Sequence, residues 1–494
     1  DTLLEKHGVY PLFCGRDKIY LLSDKASNYA FEDEWHSLGN EGAEMVAVMC
    51  DGTAIGKAIS RNRSRSSMDG GAGAAVGELY YSDDAALVEI DPVEMGRLNP
   101  ANPNNTPEQI VHWVLNRSLT LRASDLHIER FFNTVRFRAR IDGQMHVIHS
   151  ASEEELPRYI AMLKNYSNLA QERQRLQDGR FAMKLGQRRV DVRVAAIPCR
   201  RSMQKIVMRF LDKQDGVKQL SELNLSERQA KITKETMSRD QGLVLVTGPT
   251  GSGKTTTLYA FLNSINEVGI NIHTIEDPIE YEIEGINQTQ TDPFSGIDFA
   301  AGLRSLLRAD PDVMLIGESR DAETAMAAIN AALTGHLVLT TLHANDSLRA
   351  VSRLLSMGIE PYLLSDSLAM SQAQRLVRRL CTYCKRPAPM TRQMQEYLYR
   401  QGILKAPTTD PIFESAGCDE CHGTGYSGRI ALMEMCPITM ELADLVARGA
   451  PISEMRKVAQ ANGVLSLYQE GLRQIVDGHT TYSEIKKLSY TSEG

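Results

Sequence analysis

Long hydrophobic runs are missing from this chain of 494 residues, although 42% of its residues are hydrophobic. No uncharged apolar stretch reaches the roughly 18 residues that a membrane-spanning helix requires, and no secretory signal opens the sequence. An excess of basic charge is missing as well, because the formal net charge is −7. These absences argue against a membrane-spanning protein and against nucleic acid as the main partner, and we expect a cytoplasmic location.

Cysteine is scarce, with eight residues in the whole chain, but four of them are paired by their spacing. Cys381 and Cys384 form one C-x₂-C pair, and Cys418 and Cys421 form a second. This spacing favours a structural zinc site, in which four thiolates surround the metal and leave no position for water. Two redox pairs, or unused thiols in a reducing compartment, remain an alternative.

The most informative segment is a glycine-rich loop that follows an apolar, β-branched run. Residues 248–255 read GPTGSGKT, which matches the pattern G-x-x-x-x-G-K-[ST] of nucleotide-binding loops. Backbone N–H groups of such a loop turn towards phosphate oxygens, and the following helix points its positive end at them. We expect Lys254 to reach the β- and γ-phosphates of ATP and the Thr255 hydroxyl to bind Mg²⁺. The predicted nucleotide-binding residues are Gly248, Pro249, Thr250, Gly251, Ser252, Gly253, Lys254, Thr255 and Thr256.

Three more apolar strands are predicted to end in polar side chains. The first strand ends in the acids Glu276, Asp277 and Glu280, the second in Glu318 and the third in His343. Because ligands of an open parallel sheet lie beyond the carboxyl ends of its strands, they are expected to meet at the phosphate loop. Hydrolysis needs one carboxylate that orients the attacking water and another that holds Mg²⁺, and this set can supply both. A buried structural role for His343 remains an alternative.

Over residues 99–212, the sequence predicts a small α+β domain. Thr106 is expected to cap a helix that has Pro107 at its first position, and alternating strands follow. The dipeptide Asp142–Gly143 predicts a hairpin turn between two of these strands. Asp125, His127 and Glu129 alternate along another strand, where we expect a hydrogen-bonded surface in preference to a metal site.

Basic residues outnumber acidic ones between residues 173 and 209, although the whole chain is acidic. A nucleotide bound by a neighbouring subunit, a nucleic acid or a solvated basic face would each account for this excess. The predicted domains are residues 1–98 with a flexible Gly/Ala/Ser-rich loop near 60–77, the α+β domain at 99–212, a linker at 213–222, and the nucleotide-binding domain at 223–494.

The order of these segments resembles the secretion ATPases that drive type IV pilus assembly and type II secretion. The resemblance covers roughly residues 106–490 and is carried by LRASDLHIE, VRFRARIDG, LQDGRF, DVRV, VTGPTGSGKTTTLY, HTIEDPIEYEIEGINQTQ, GLRSLLRADPDVMLIGESRD, TGHLVLTTLHAN, QRLVRRLCTYCK and GCDECHGTGYSGR. It implies a multidomain α/β and α+β fold. A RecA-like P-loop motor domain, with a tetracysteine zinc insert at 375–430 and C-terminal helices, would follow a PAS-like α+β domain and an N-terminal recruitment domain.

The resemblance also implies roles for individual residues. Glu276, Asp277 and Glu280 would form an acidic box, Glu318 would be the Walker B acid, and His336 and His343 would share a histidine box. Glu280 would position the attacking water, with Glu318 acting through Mg²⁺ or as the competing candidate. Arg193 and Arg209 would reach the nucleotide from the smaller domain.

The function implied is a hexameric ATPase, peripheral to the inner face of the bacterial inner membrane, that powers type IV pilus assembly. Its implied partners are a polytopic platform protein of that membrane and a membrane anchor bound by the N-terminal domain. The same motor in a type II secretion pseudopilus is the first alternative. A retraction ATPase, a DNA-uptake motor and a scaffold with incidental hydrolysis are weaker ones, since the tetracysteine insert and the acidic total charge argue against the first two.

Overall fold

The computed structural model describes residues 9–14, 18–23, 44–49, 86–172, 174–199, 203–212, 216–292, 295–406, 408 and 410–492. The chain divides into two compact units, residues 1–86 and 87–494. In the first unit, β1 (Val9–Cys14), β2 (Lys18–Ser23) and β3 (Glu44–Met49) form a sheet, with β2 antiparallel to β1 and parallel to β3. The flexible loop expected near residues 60–77 lies outside the described residues.

The second unit begins with a seven-stranded sheet whose strand order is β4-β8-β9-β10-β5-β6-β7. Its strands are β4 (Leu87–Ile90), β5 (Ala123–Phe131), β6 (Thr134–Ile141), β7 (Gln144–Ser152), β8 (Gln177–Leu185), β9 (Arg188–Cys199) and β10 (Met203–Asp212), and its helices are α1 (Pro92–Arg97), α2 (Pro107–Thr120) and α3 (Leu156–Tyr166). Strand β4 pairs with β8 in parallel, so the sheet starts before residue 98, where the sequence analysis places the domain boundary.

Local sequence explains two features of this sheet and its helices. The Thr106 hydroxyl accepts from the Gln109 backbone N–H at 3.2 Å, while the Gln109 side chain accepts from the Thr106 N–H at 2.9 Å. This capping box starts α2 at Pro107, as predicted. Asp142 and Gly143 have φ angles of 48° and 84°, which makes the predicted two-residue turn between β6 and β7.

A second seven-stranded sheet holds the glycine-rich loop, and its order is β13-β12-β14-β15-β11-β16-β19. The strands are β11 (Gly242–Thr247), β12 (Ile272–Glu276), β13 (Asn287–Gln290), β14 (Val313–Ile316), β15 (Leu337–Leu342), β16 (Leu368–Leu380) and β19 (Tyr426–Pro437). All neighbours run parallel except β16 and β19. Every residue of β11, β14 and β15 is buried, which explains why these strands read as continuous apolar runs.

Helices pack around this sheet and complete the domain. They are α4 (Glu227–Met237), α5 (Lys254–Asn263), α6 (Phe299–Leu306), α7 (Ala322–Leu333), α8 (Ser347–Ser356), α9 (Pro361–Ser367), α11 (Met440–Ala447), α12 (Ile452–Ala461), α13 (Leu467–Val476) and α14 (Tyr482–Ser492). Among the described residues, no helix is both long enough and apolar enough to cross a membrane.

The chain leaves the sheet between β16 and β19 and forms a small subdomain there. It contains β17 (Arg386–Ala388), α10 (Arg392–Arg400), β18 (Ile412–Glu414) and a 3₁₀ turn at Asp419–Cys421. Strands β17 and β18 pair antiparallel. The four spaced cysteines lie at the base of this excursion, where β16 ends and β19 begins.

Candidate functional site

The glycine-rich loop connects the buried end of β11 to the first turn of α5. Gly248, Gly251 and Gly253 have φ angles of 155°, 76° and 86°, and Gly253 is the N-cap of α5. A Cβ atom at Gly248 would lie 2.5 Å from the main-chain oxygen of Gln374, so no other residue fits there without a shift. The loop therefore exposes backbone to one side at a helix N-terminus, which suits a phosphate group.

Lys254 adds positive charge to this loop. Its Nζ atom donates to the carbonyl oxygen of Gly248 at 2.9 Å and to that of Pro249 at 3.4 Å. Burial lowers the pKa of Lys254, and the nearby negative charge of Glu318 opposes that effect. Thr255 is half-buried one residue further along α5, where its hydroxyl is available to a cation beside the loop.

Glu318 and His343 follow different strands and meet in front of the loop. His343 Nε2 lies 2.9 Å from Glu318 Oε1, and Nε of Arg320 donates to Oε2 at 2.7 Å. The Glu318 side chain is 16% exposed, whereas that of His343 is 54% exposed. The alternative of a buried structural His343 is therefore wrong, and both residues belong to the edge of the sheet that carries the loop.

The acids after β12 differ sharply in their surroundings. Glu276 is buried, and its carboxylate accepts hydrogen bonds from the Tyr259 hydroxyl, from Thr274 Oγ1 at 2.6 Å and from Gln288 Nε2 at 3.3 Å. Burial, followed by the charge of Glu276, raises the pKa of Tyr259. A carboxylate with this many donors holds the strand end together and is not free to act on water.

The other two acids of this group are more accessible. Glu280 is half-buried, and its carboxylate has no hydrogen bond or ion pair with any residue that the structure describes. Asp277 is exposed, and its charge is among the causes that raise the pKa of Arg320, after the hydrogen bond and the charge of Glu318. Asp277, Arg320 and Glu318 thus form one charged group at the ends of β12 and β14.

His336 does not join this group, although the resemblance pairs it with His343. It precedes β15 and so lies at the opposite end of the strand, about 20 Å away at ~3.3 Å per residue. Its Nδ1 atom lies 3.0 Å from the carbonyl oxygen of Ala331. His336 therefore caps the turn after α7 and does not face the loop.

A cleft of about 620 Å³ opens beside the loop. Its walls include the loop residues Gly248 and Pro249, the side chain of His343, and two arginines of α8, Arg349 and Arg353. The apolar residues Ala344 and Ile452 also line it, so the cleft combines basic side chains with apolar surface.

Arg193 and Arg209 lie opposite each other on β9 and β10, in the sheet of the smaller domain. The pairing continues in both directions, because Arg180 on β8 lies opposite Arg193, and Asp125 on β5 lies opposite Arg209. Arg140 on β6 lies opposite Asp125 in turn. Side chains of directly opposed residues share one face of a sheet, so these five residues form a row, called the arginine row below.

Within the arginine row, Arg209 and Arg140 pair with Asp125, whereas Arg193 does not. Asp125 Oδ1 accepts from Arg209 Nε at 3.1 Å, and Arg140 Nε lies 3.5 Å from Asp125 Oδ2. Arg193 has no hydrogen-bonding or ion-pairing partner among the described residues, and it stands between two other arginines. Like charges in opposed positions of a sheet destabilise it. An anion bound over the row would remove this cost.

Glu129 and His127 share a strand face with Asp125, as predicted, and lie further along β5 from the arginine row. Glu129 pairs with Arg138 and with Lys205, the latter at 2.7 Å. Burial lowers the pKa of His127, and Lys205 is the next cause. These ion pairs fit the expected hydrogen-bonded surface. No metal site is found on this strand face, because the one cluster with such geometry among the described residues is that of the four spaced cysteines.

The four cysteines are brought together as their spacing predicts. Sγ–Sγ distances are 3.9 Å for Cys381 and Cys418, 3.7 Å for Cys384 and Cys421, and 3.7 Å for Cys418 and Cys421. A tetrahedral zinc site with bonds of about 2.3 Å requires sulfur atoms roughly 3.8 Å apart, so the residues fit this metal.

Backbone donors prepare the cysteine sulfurs for a metal. Burial favours the neutral thiol of Cys421, but the backbone N–H groups of Cys418 and Gly425, each 3.2 Å from its sulfur, lower its pKa to about 6. The N–H of Gly417 donates to Cys384 Sγ at 3.3 Å. Thiolates held by N–H groups are the usual ligands of structural zinc.

The sequence predicts no role for two residues that the structure places in this site, Gln374 and Arg180. Gln374 opens the segment QRLVRRLCTYCK, and Arg180 lies in LQDGRF. Their positions depend on which strands are neighbours, and no local pattern in the sequence contains that information.

Comparison with known proteins gives a consistent result. The model of the family "Type II/IV secretion system protein" matches residues 102–487. The type IV pilus assembly ATPase PilB of Myxococcus xanthus is 38% identical over 97% of this chain and 84% of its own length. The type II secretion system protein E of Pseudomonas aeruginosa is 41% identical over 77% of this chain and 75% of its own length. The crystal structure of the Legionella pneumophila ATPase DotB has the same fold, with a TM-score of 0.58 and 22% identity over 80% of this chain and 98% of that one.

Proposed function

The chain belongs to the Type II/IV secretion system protein family, and we propose that it is the motor that powers assembly of a type IV pilus. It is an ATPase, as the similar type IV pilus assembly ATPase PilB is. The observation that favours a pilus is the extent of the match. The pilus assembly ATPase aligns with 97% of this chain, including the region before residue 102, whereas the secretion protein E aligns with 77%.

A motor for a type II secretion pseudopilus is the second candidate. The identity of 41% to a type II secretion protein E favours it, although over a shorter alignment. Both candidates use the same ATP site and differ in the membrane platform on which the motor acts.

We propose that the phosphate loop binds ATP through residues 248–256. Lys254 holds the β- and γ-phosphates, and the Thr255 hydroxyl is the ligand for Mg²⁺, which would neutralise phosphate charge when bound. Glu280 orients the attacking water, because its carboxylate has no other partner among the described residues. Glu318 is held by Arg320 and His343, a position from which it can take part in binding the cation.

The arginine row supplies the second half of the site in this proposal. Arg193 and Arg209 place positive charge against the γ-phosphate when the smaller domain closes on a nucleotide within a homo-hexameric ring. The lack of a partner for Arg193 among the described residues supports this role, since a bound phosphate would relieve repulsion between Arg193 and the opposed Arg209. Hydrolysis would remove the γ-phosphate and release the smaller domain, so that ATP hydrolysis would drive the motion of this domain.

The remaining parts of the proposal concern structure and location. Zinc held by the four cysteines would brace the subdomain between β16 and β19 without taking part in catalysis. The N-terminal domain would bind a membrane anchor, and the motor would act on a polytopic platform protein at the cytoplasmic face of the inner membrane. Nucleic acid is not among the proposed partners.

Co-expression with each kind of platform protein tests the proposal. The chain should co-purify with a pilus platform protein, and that platform should raise its ATPase rate. The Lys254→Ala variant should bind the platform but hydrolyse no ATP. Stimulation by a secretion platform alone would favour the second candidate, and stimulation by neither would contradict both.

A further inference from the structure

Gln374 lies directly behind the phosphate loop, in the middle of β16. Thr247, the last residue of β11, is opposite Ala373 in the parallel pair of β11 and β16. The residues that follow this pair are Gly248, which starts the loop, and Gln374 of β16. Since the Gln374 residue is 1% exposed, its amide atoms need partners inside the protein.

The side chain of Gln374 binds both the loop and the helix that follows it. Its Nε2 atom donates to the carbonyl oxygen of Ser252 at 2.8 Å, and its Oε1 accepts from the Thr257 hydroxyl at 2.9 Å. Nε2 of Gln372 donates to the same Oε1 at 3.1 Å. These partners determine the orientation of the amide, because a reversed amide would place one carbonyl oxygen against another.

Two glycines of the loop also pack against this residue. A Cβ atom at Gly248 would lie 2.5 Å from the main-chain oxygen of Gln374, and one at Gly253 would lie 2.9 Å from its Nε2. Gln374 thus contacts the first and the last glycine of the loop. Its amide also forms hydrogen bonds with Ser252, just before the last glycine, and with Thr257 of α5. No other described contact ties the loop to β16 at so many points.

We infer that Gln374 is a positioning residue that aims the phosphate-binding N–H groups of the loop. The peptide unit is planar, with its C=O and N–H groups on opposite sides. The bond that holds the Ser252 carbonyl towards β16 therefore turns the N–H of Gly253 away from β16. N–H groups at the start of a helix are the ones that bind phosphate. This inference rests on the proposed function, because it requires that the loop binds ATP.

Replacement of the amide by an apolar side chain of similar size gives the first test. In Gln374→Met, we expect the Kd of the 494-residue chain for MgADP, measured by calorimetry, to rise roughly tenfold, equivalent to about 1.4 kcal/mol. Gln372→Met is the matched comparison, because Gln372 is equally buried and lies on the same face of β16 but reaches the loop only through its hydrogen bond to Gln374. It leaves the bonds of Gln374 to Ser252 and Thr257 in place, so its Kd should rise clearly less than that of Gln374→Met.

The Gln374→Glu variant has a side chain of nearly the same shape, so it tests whether the hydrogen bond to the Ser252 carbonyl matters independently of packing. In Gln374→Glu, the ionised carboxylate has no donor for the Ser252 carbonyl, whereas the protonated carboxyl group restores one. The ratio of variant to wild-type Kd for MgADP should therefore fall as the pH is lowered from about 8 to about 6, because burial raises the pKa of a carboxyl group.

Several results would overturn the inference. Gln374→Met could bind MgADP as tightly as the wild type, Gln372→Met could lose as much affinity as Gln374→Met, or the Kd ratio of Gln374→Glu could be independent of pH. Each of these leaves the proposed function intact, since the wild-type chain still binds nucleotide. Failure of the wild-type chain to bind MgADP would overturn both.

Discussion

The carboxylate of Asp125 accepts a hydrogen bond from Nε of Arg209 at 3.1 Å, across the neighbouring strands β5 and β10. Asp125 is 7% exposed, whereas the Arg209 side chain is 59% exposed. The buried acid therefore holds the guanidinium through its Nε atom, and the two Nη groups have no hydrogen-bonding partner among the described residues. A fixed guanidinium of this kind loses little conformational entropy when it binds a phosphate.

The first prediction concerns this pair. In Asp125→Asn, the charge that holds Arg209 is lost, and we expect kcat for ATP hydrolysis to fall roughly tenfold. The Kd for MgADP should change little, because the phosphate loop is untouched. Glu129→Gln, which breaks other ion pairs of the same strand, is the control. If Glu129→Gln lowers kcat as much as Asp125→Asn does, the effect belongs to the strand and not to Arg209.

The second prediction separates the candidate carboxylates. Glu280→Gln should lower kcat by roughly 100-fold or more with little change in nucleotide affinity, since only the orientation of water is lost. Glu282→Gln, an exposed acid two residues further on, should leave kcat unchanged. Steady-state hydrolysis and calorimetric binding measure the two effects. An active Glu280→Gln together with an inactive Glu318→Gln would assign the role to Glu318.

Local patterns in the sequence predict much of this structure. The Thr106 cap, the Asp142–Gly143 turn and the buried strands around the phosphate loop were each predicted from neighbouring residues, and the structure confirms them. The four cysteines were also predicted to cluster, because two C-x₂-C turns place the thiols on the same side of each turn.

Features that depend on strand order could not be predicted in this way. The opposed positions of Arg180, Arg193 and Arg209 follow from the register of three strands, and Asp125 joins them from a strand far away in sequence. The contact of Gln374 with the loop has the same origin. The pairing of His336 with His343 failed for a related reason. The sequence does not reveal that the two histidines lie at opposite ends of β15.

The third prediction concerns metal content. The purified chain should contain about one zinc per protomer by atomic absorption, and Cys418→Ser should lose it, because three sulfur ligands bind zinc far more weakly than four. Cys199→Ser, at an exposed cysteine outside the cluster, should retain the metal. Retention of zinc by Cys418→Ser would contradict the four-sulfur site.

The fourth prediction concerns stability at low pH. Burial would raise the pKa of Glu484, but hydrogen bonds from Arg378 and Lys487 outweigh it and lower the pKa to about 2. Because the folded-state pKa lies below the ordinary carboxyl value, the stabilisation is fully present above about pH 4.5 and is lost as the pH falls towards 2. It amounts to at most roughly 3 kcal/mol.

Urea unfolding at several pH values measures this contribution. The difference in unfolding free energy between wild type and Glu484→Gln should be largest near neutral pH and should shrink below about pH 4.5. Loss of cysteine-bound metal in acid affects both proteins alike and cancels in the difference. Glu441→Gln, at an exposed acid of α11, should show no such trend. A difference that does not depend on pH would contradict the assignment to Glu484.

The last prediction concerns the contact between the smaller domain and strands β16 and β19 of the nucleotide-binding domain. The tip of the β6–β7 hairpin reaches β19, where Asp142 Oδ2 accepts from the Gly428 N–H at 3.0 Å. Beside it, Arg378 Nη1 donates to Gln144 Oε1 at 3.2 Å. A rotation of the smaller domain must break both hydrogen bonds, so their strength sets part of the cost of domain motion.

Asp142→Asn tests this contact without disturbing the turn, because asparagine tolerates the positive φ of this position. It replaces a charged acceptor by a neutral one, and we expect hydrogen exchange at the Gly428 amide to become several-fold faster, with a similar free energy of global unfolding. Asn133→Asp, at the tip of the β5–β6 hairpin of the same sheet, is the control. Unchanged exchange at Gly428 in Asp142→Asn would mean that the hairpin does not restrain the two domains, and the resistance to rotation would then have to come from other contacts.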